Sequence, residues 1–222
     1  MKRHRLLTCS FAFFAGIFML VTALHAQPVP DKEYRLIPTP QTPADPKKIE
    51  VIEFFSYACP HCAEFAPALE SWLKHKPKDV EFKEVPMVFR DNWAPTAKLY
   101  YTLEAMGLVD KYETKVYEAI HKQGKDLNTD QGVKQWAKDA GIDSAKFDQV
   151  YDSFGIDAKV QRSKAMGRAY GVQFTPSLAI NGKYYTGPSM VPAQGGSGPP
   201  DYDRFFKVVN DLIDMERKAK KK

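Results

Sequence analysis

Residues 54–65 read FFSYACPHCAEF and set Cys59 and Cys62 three positions apart, with only Pro60 and His61 between them. Two cysteines at this spacing serve zinc binding, haem attachment, a structural disulfide or thiol–disulfide exchange. A structural zinc site takes four ligands, commonly from two such pairs. Beyond residue 26 this chain has the single pair and His61, His75 and His121, none of them repeating a ligand spacing. Covalent haem needs Cys-x-x-Cys-His, and Ala63 follows Cys62. A bridge across so short a loop removes little entropy from the unfolded chain, which makes a purely structural staple weak. Thiol–disulfide exchange is the chemistry whose physical requirements the flanking sequence meets.

Those requirements are positional. IEVIEFF, residues 49–55, is a nearly continuous apolar run with two acids, as expected of a strand buried on both faces. The motif follows at once, and after it Phe65, Leu69, Trp72 and Leu73 recur at helical spacing in AEFAPALESWLKH. Pro60 suits the first helical turn, where its missing N–H is not needed, so Cys59 falls at the N-cap. Backbone N–H groups at a helix start stabilise an anion, which favours a Cys59 thiolate. A protonated or hydrogen-bonding His61 favours it further. Cys62, one turn inside the helix, is expected to be less exposed and placed to resolve a mixed disulfide.

The remaining chain supplies the scaffold. Tyr34–Ile37 predicts a short edge strand, and VEFKEVP at 80–86 the strand after the first helix. From about Trp93 to Tyr170 the pattern is consecutively helical. Gly107, Gly124 and Gly171 stand where helices should end, and Thr129 and Asp143 where two should begin. Strand character resumes in FTPSLAI and KYYTG around Asn181-Gly182, a strong hairpin signal. A loop rich in Gly, Pro and Ser covers 187–200, and a last helix from Asp201 has Phe205, Phe206, Val209, Leu212 and Ile213 on one face.

Composition limits what the protein binds. The chain of 222 residues has a formal charge of +5. Lys2, Arg3 and Arg5 precede the apolar run Phe11–Leu24, whose length fits the hydrophobic region of a secretory signal peptide and is short for a membrane span. Residues 1–26 are therefore expected to be a signal peptide, cleaved after Ala26 or Ala23, and Cys9 to leave with it. The remaining cysteines then sit in an oxidising compartment. Five more bases lie in RKAKKK at 217–222, expected to be a solvated helix end, so residues 27–216 are slightly acidic. That excludes a nucleic-acid surface.

The strand–CPHC–helix opening, the helical stretch and a later Thr175-Pro176 before an Asn-Gly hairpin resemble the DsbA family of periplasmic dithiol oxidases, from about Tyr34 to Met215. The resemblance implies an α/β, thioredoxin-like fold, a mixed sheet flanked by helices with an inserted all-helical subdomain. Its core would cover about 27–90 and 171–222, and the insertion about 91–170. It implies a thiol:disulfide oxidoreductase that donates disulfides to reduced, newly exported proteins and is reoxidised by a DsbB-like, quinone-linked membrane oxidase, with no further cofactor or metal. It makes Cys59 the exposed sulfur that substrate thiolates attack and Cys62 its buried partner. Pro176 becomes a cis-proline facing them, and Thr175 presents backbone groups to substrate. Glu53 becomes a buried acid that handles the Cys62 proton. The family often pairs that acid with a lysine on the next strand; here Glu84 stands at the position and Lys83 falls on the other face. The short segment before the first buried strand leaves no room for a dimerisation domain, which implies a monomer. Rival readings are a reductase or isomerase on the same fold, or a metal-binding or chaperone module. Tyr57, Phe174 and Met190 carry no assigned role.

Overall fold

A computed structural model describes residues 27–193 and 198–220. The expected signal peptide at 1–26 lies outside the described residues, as does part of the 187–200 loop. The strands are β1 (Arg35–Leu36), β2 (Ile49–Phe55), β3 (Val80–Pro86), β4 (Ser177–Ile180) and β5 (Tyr184–Thr186). The helices are α1 (Pro60–His75), α2 (Ala94–Met106), α3 (Val109–His121), α4 (Asp130–Asp139), α5 (Ser144–Tyr151), α6 (Phe154–Ala169) and α7 (Tyr202–Lys220). One mixed sheet runs in the order β1-β5-β4-β2-β3. β2 pairs parallel with β3 and antiparallel with β4, and β5 runs antiparallel to both β4 and β1. Five helices, α2 to α6, separate β3 from β4 in sequence. This is a thioredoxin-like core with a helical insertion.

β2 lies inside the sheet and all seven of its residues are buried, which explains its unbroken apolar pattern. Its two acids meet different fates. Glu50 accepts from Lys83 Nζ at 2.6 Å, whereas Glu53 lies opposite Glu84 and makes no ion pair among the described residues. Helix starts and stops follow side-chain chemistry. Thr129, Asp143 and Ser153 each accept a backbone N–H from the first turn of the helix they cap. Ser153 starts α6 earlier than the sequence pattern alone indicated. α2 ends on Gly107 in the left-handed region, at φ 68°. In the hairpin Asn181 and Gly182 take φ 53° and 66°, the conformation that Asn-Gly favours. A side chain at Gly182 would also collide with the Gln41 carbonyl.

The end of α7 is exposed at residues 218–220, as expected of a solvated helix end, and also makes surface contacts. Arg217 donates to both carboxylate oxygens of Asp79, at 2.7 and 2.6 Å, and Lys220 Nζ reaches the carbonyls of Pro46 and Lys48. These contacts tie the end of α7 to the loops leading into β2 and β3.

α1 is seated by aromatic packing. Phe65 is fully buried, stacks on Phe206 at 5.6 Å and meets Phe205 edge-on. Trp72 stacks on the same Phe206 at 5.4 Å, and its indole N–H donates to Asn210. Because the helix start carries both cysteines, this seat fixes where they point. Phe65→Ala is expected to cost about 3–5 kcal/mol, read in urea as a lower unfolding midpoint with an unchanged slope.

Candidate active site

The turn before α1 is built by backbone bonds: Cys59 N–H donates to Ser56 O at 3.0 Å, and Cys62 N–H to Cys59 O at 3.1 Å. Cys59 is the N-cap in extended geometry, and Pro60 opens the helix. Cys59 is drawn in more tightly than expected: its residue is only 6% exposed, against 1% for Cys62. The cover comes from the loop before β4, where the Thr175–Pro176 bond is cis and the Cys59 thiol lies 3.4 Å from Thr175 O. Glu53, Cys59, Cys62, Thr175 and Pro176 thus converge from β2, the head of α1 and the start of β4.

The two sulfurs, both free thiols here, differ electrically. The Cys62 thiol donates to Cys59, which lowers the Cys59 pKa from 9.0 to about 5 against the opposing effect of burial, helped by Thr175 and by the N–H groups of Cys62 and His61. Burial drives the Cys62 pKa the other way, well above its ordinary value. One sulfur is held ready as an anion and the other as a thiol, the division that exchange chemistry needs.

The His61 imidazole makes no hydrogen bond to the Cys59 sulfur. The side chain is exposed and its Nδ1 lies 3.1 Å from Glu64 Oε2; the His61 group turned toward the sulfur is its backbone N–H. An N-cap residue faces the amides of the first turn, while a side chain at the second helical position points outward.

Glu53 is 3% exposed, and burial, followed by the charges of Glu84 and Glu113, raises its pKa well above the usual carboxylate range. No lysine pairs with it among the described residues, and Lys83 belongs to the other face and bonds Glu50. Glu84 accepts from the Tyr100 hydroxyl at 3.4 Å, and burial, followed by the charge of Glu113, pushes its pKa up to about 8. Glu113 was missed in the sequence, yet it carried a signal. It falls on the apolar stripe Val109, Tyr112, Val116, Tyr117 and Ile120 of α3, where an acid is out of place. Tyr57 proves to be core: it is 1% exposed and packs edge-on against Phe55 and Tyr117. The backbone carbonyl of Tyr57 lies 2.7 Å from His121 Nε2, fastening the turn before the motif to the insertion.

A family model described as thioredoxin matches residues 45–195. The thiol:disulfide interchange protein DsbA of Bordetella parapertussis is 42% identical over 180 residues, covering 81% of this chain and 82% of that protein. The protein of the same name from Burkholderia cepacia is 38% identical over 193 residues, covering 86% of this chain and 91% of its own. The crystal structure of Pseudomonas aeruginosa DsbA superposes with a TM-score of 0.79 at 34% identity, over 87% of this chain and 97% of that one. With the cysteine pair divided into an anionic and a protonated sulfur at a helix start, these likenesses establish that the chain belongs to the DsbA family and is a disulfide-forming thiol:disulfide oxidoreductase.

Proposed function

We propose that the protein works as a monomeric oxidant in the periplasm, after removal of residues 1–26, and passes the Cys59–Cys62 disulfide to reduced, newly exported proteins. A substrate thiolate attacks Cys59 Sγ, and Cys62 leaves as a thiolate that Glu53 protonates. A second substrate thiolate then displaces Cys59. Thr175 and Pro176 flank the incoming strand, and Pro60 and His61 shape the helix start. A DsbB-like membrane oxidase linked to quinone restores the disulfide. Among the described residues no helix is long and apolar enough to cross a membrane, in keeping with a partner that carries the membrane function.

The observation that carries the direction of transfer is the stabilised Cys59 thiolate. It lowers the free energy of the reduced protein, so the disulfide gives way readily to substrate thiols. Equilibration with glutathione buffers should show a strongly oxidising couple. A poise near that of thioredoxin would overturn the oxidant reading in favour of a reductase. The same linkage has a sign in stability. The folded pKa of Cys59 is depressed, so its contribution is complete above pH 9 and lost as pH falls through about 5. The reduced protein should therefore melt above the oxidised one at pH 7.5, and the gap should close at pH 4.

For His61 two contributions are assigned. Its backbone N–H faces the sulfur, and an imidazolium form adds positive charge beside the motif, partly offset by Glu64. His61→Ser keeps the first and removes the second. The Cys59 titration, followed by thiolate absorbance, should move upward from about 5 in that variant. An unmoved curve would leave His61 with its backbone role alone.

Glu53 gives the opposite sign to Cys59. Its folded pKa lies above the ordinary 4.5, so its contribution is complete below that value and lost as pH rises toward the folded one. Glu53→Gln should melt at least about 2 °C above the parent at pH 8, with the advantage gone below pH 4. Equal melting at both pH values would return Glu53 to an ordinary strand position.

A further inference from the structure

β2, β3, α1 and α3 enclose a cavity of about 570 Å³ whose lining on α1 begins at Ala63, the residue after Cys62. Glu53 lines its floor with no hydrogen bond or ion pair among the described residues, although it is only 3% exposed. Glu84 of β3 and Glu113 of α3 line the same cavity, and each carboxyl group perturbs the other. Two carboxyl groups that are both largely removed from water and act on each other resist ionising together, which favours a proton kept on one of them. The rim reaches the surface among the exposed residues Glu70, Asp110, Thr114 and Lys122.

We propose that Glu113, carried by the helical insertion, forms with Glu84 a proton-sharing pair that resupplies Glu53 and so gives the buried Cys62 sulfur a proton route to solvent through this cavity. The proposal rests on the role given to Glu53 above.

The bookkeeping of the step is closed. Substrate thiolate attack on Cys59 forms one S–S bond and breaks the Cys59–Cys62 bond, leaving the electron pair on Cys62. Burial disfavours that anion, and it takes the proton of Glu53. Glu53, now a carboxylate, takes the proton shared by Glu84 and Glu113, and water at the cavity mouth replaces it. This step ends at the mixed disulfide of substrate and Cys59; a second substrate thiolate then displaces Cys59, which completes the oxidation of the substrate and the reduction of the protein disulfide. On reoxidation by the partner the proton runs outward along the same groups.

The surroundings keep a proton on the pair at neutral pH. Burial is the main cause for both acids, and Asp110 of α3 adds negative charge near each. Glu70 of α1 acts on Glu113 in the same sense, while the Tyr100 hydroxyl of α2 opposes it at Glu84. Glu84 is left at about 8. His121 and Lys122 also line the cavity, but neither makes an ion pair with the three acids among the described residues.

The test is stopped-flow reduction of the oxidised protein by dithiothreitol between pH 5 and 9, with rates divided by the concentration of dithiothreitol thiolate. The parent should show a fall in this corrected rate centred near pH 8, where the pair gives up its proton. Glu113→Gln should move that fall downward by about one pH unit or more. Glu113→Asp should restore it, and the Cys59 titration should stay near 5 in both. A Glu113→Gln profile superimposable on the parent, with Glu53→Gln altered, would overturn the pair and leave the role of Glu53 standing. If neither variant differs from the parent, both readings fall. A profile moved by Glu113→Gln but not by Glu53→Gln would overturn the route through Glu53.

Discussion

The hydrogen bond from the Cys62 thiol to the Cys59 sulfur, made at the head of α1, is the interaction on which the rest of the site depends. It requires the two sulfurs to carry different charge while standing one helical turn apart. The amides of the first turn and Thr175 support the anion, and burial against the helical insertion suppresses charge on its partner. Neither condition alone suffices. A helix start without the buried neighbour leaves two competing thiols, and a buried pair without the helix start leaves no nucleofuge.

That division of labour accounts for the architecture. β2 and α1 are the rigid bracket, held on one side by the Phe65, Trp72 and Phe206 stack. The insertion closes the other side, where Cys59, Cys62, Phe55 and Tyr57 share a hydrophobic cluster with α2 to α6. Far from decorating the core, these helices provide the low-dielectric wall that sets the Cys62 proton and the acid that faces Glu53. His121 couples the two parts through a single contact with the Tyr57 carbonyl.

Much of this was legible in the sequence because the local signals were strong and agreed. The buried run of β2, Pro60 at the first helical position, the caps at Thr129 and Asp143 and the Asn181-Gly182 turn each follow from short-range chemistry. The placement of Glu84 beside Glu53, with Lys83 on the other face, also follows, since alternation along a strand fixes which residues share a face. Long-range placement was not legible. That Arg217 would reach Asp79, or Glu113 would reach Glu84, depends on how α7 and α3 pack, and no local pattern encodes a partner so far along the chain. The direction of the His61 imidazole was not legible for a different reason: the motif shows which residue is present but not which way a surface side chain turns.

The pairing of β1 with β5 has a consequence in time. Leading residues are held by trailing ones: Ile37 N–H bonds Lys183 O, Gln41 N–H bonds Gly182 O, and Thr186 Oγ1 donates to Glu33 O. β2 likewise waits for β4, whose first residue lies more than a hundred positions further on. The insertion between them is built from neighbouring helices and its contacts close over short loops, so it can order early. A chain emerging from its N-terminus therefore holds an unfinished sheet until nearly all of it is available. The contact of Cys59 with Thr175 belongs to that late-closing part of the sheet, so the surroundings of the exchanging sulfur are complete only when the last strands are in place.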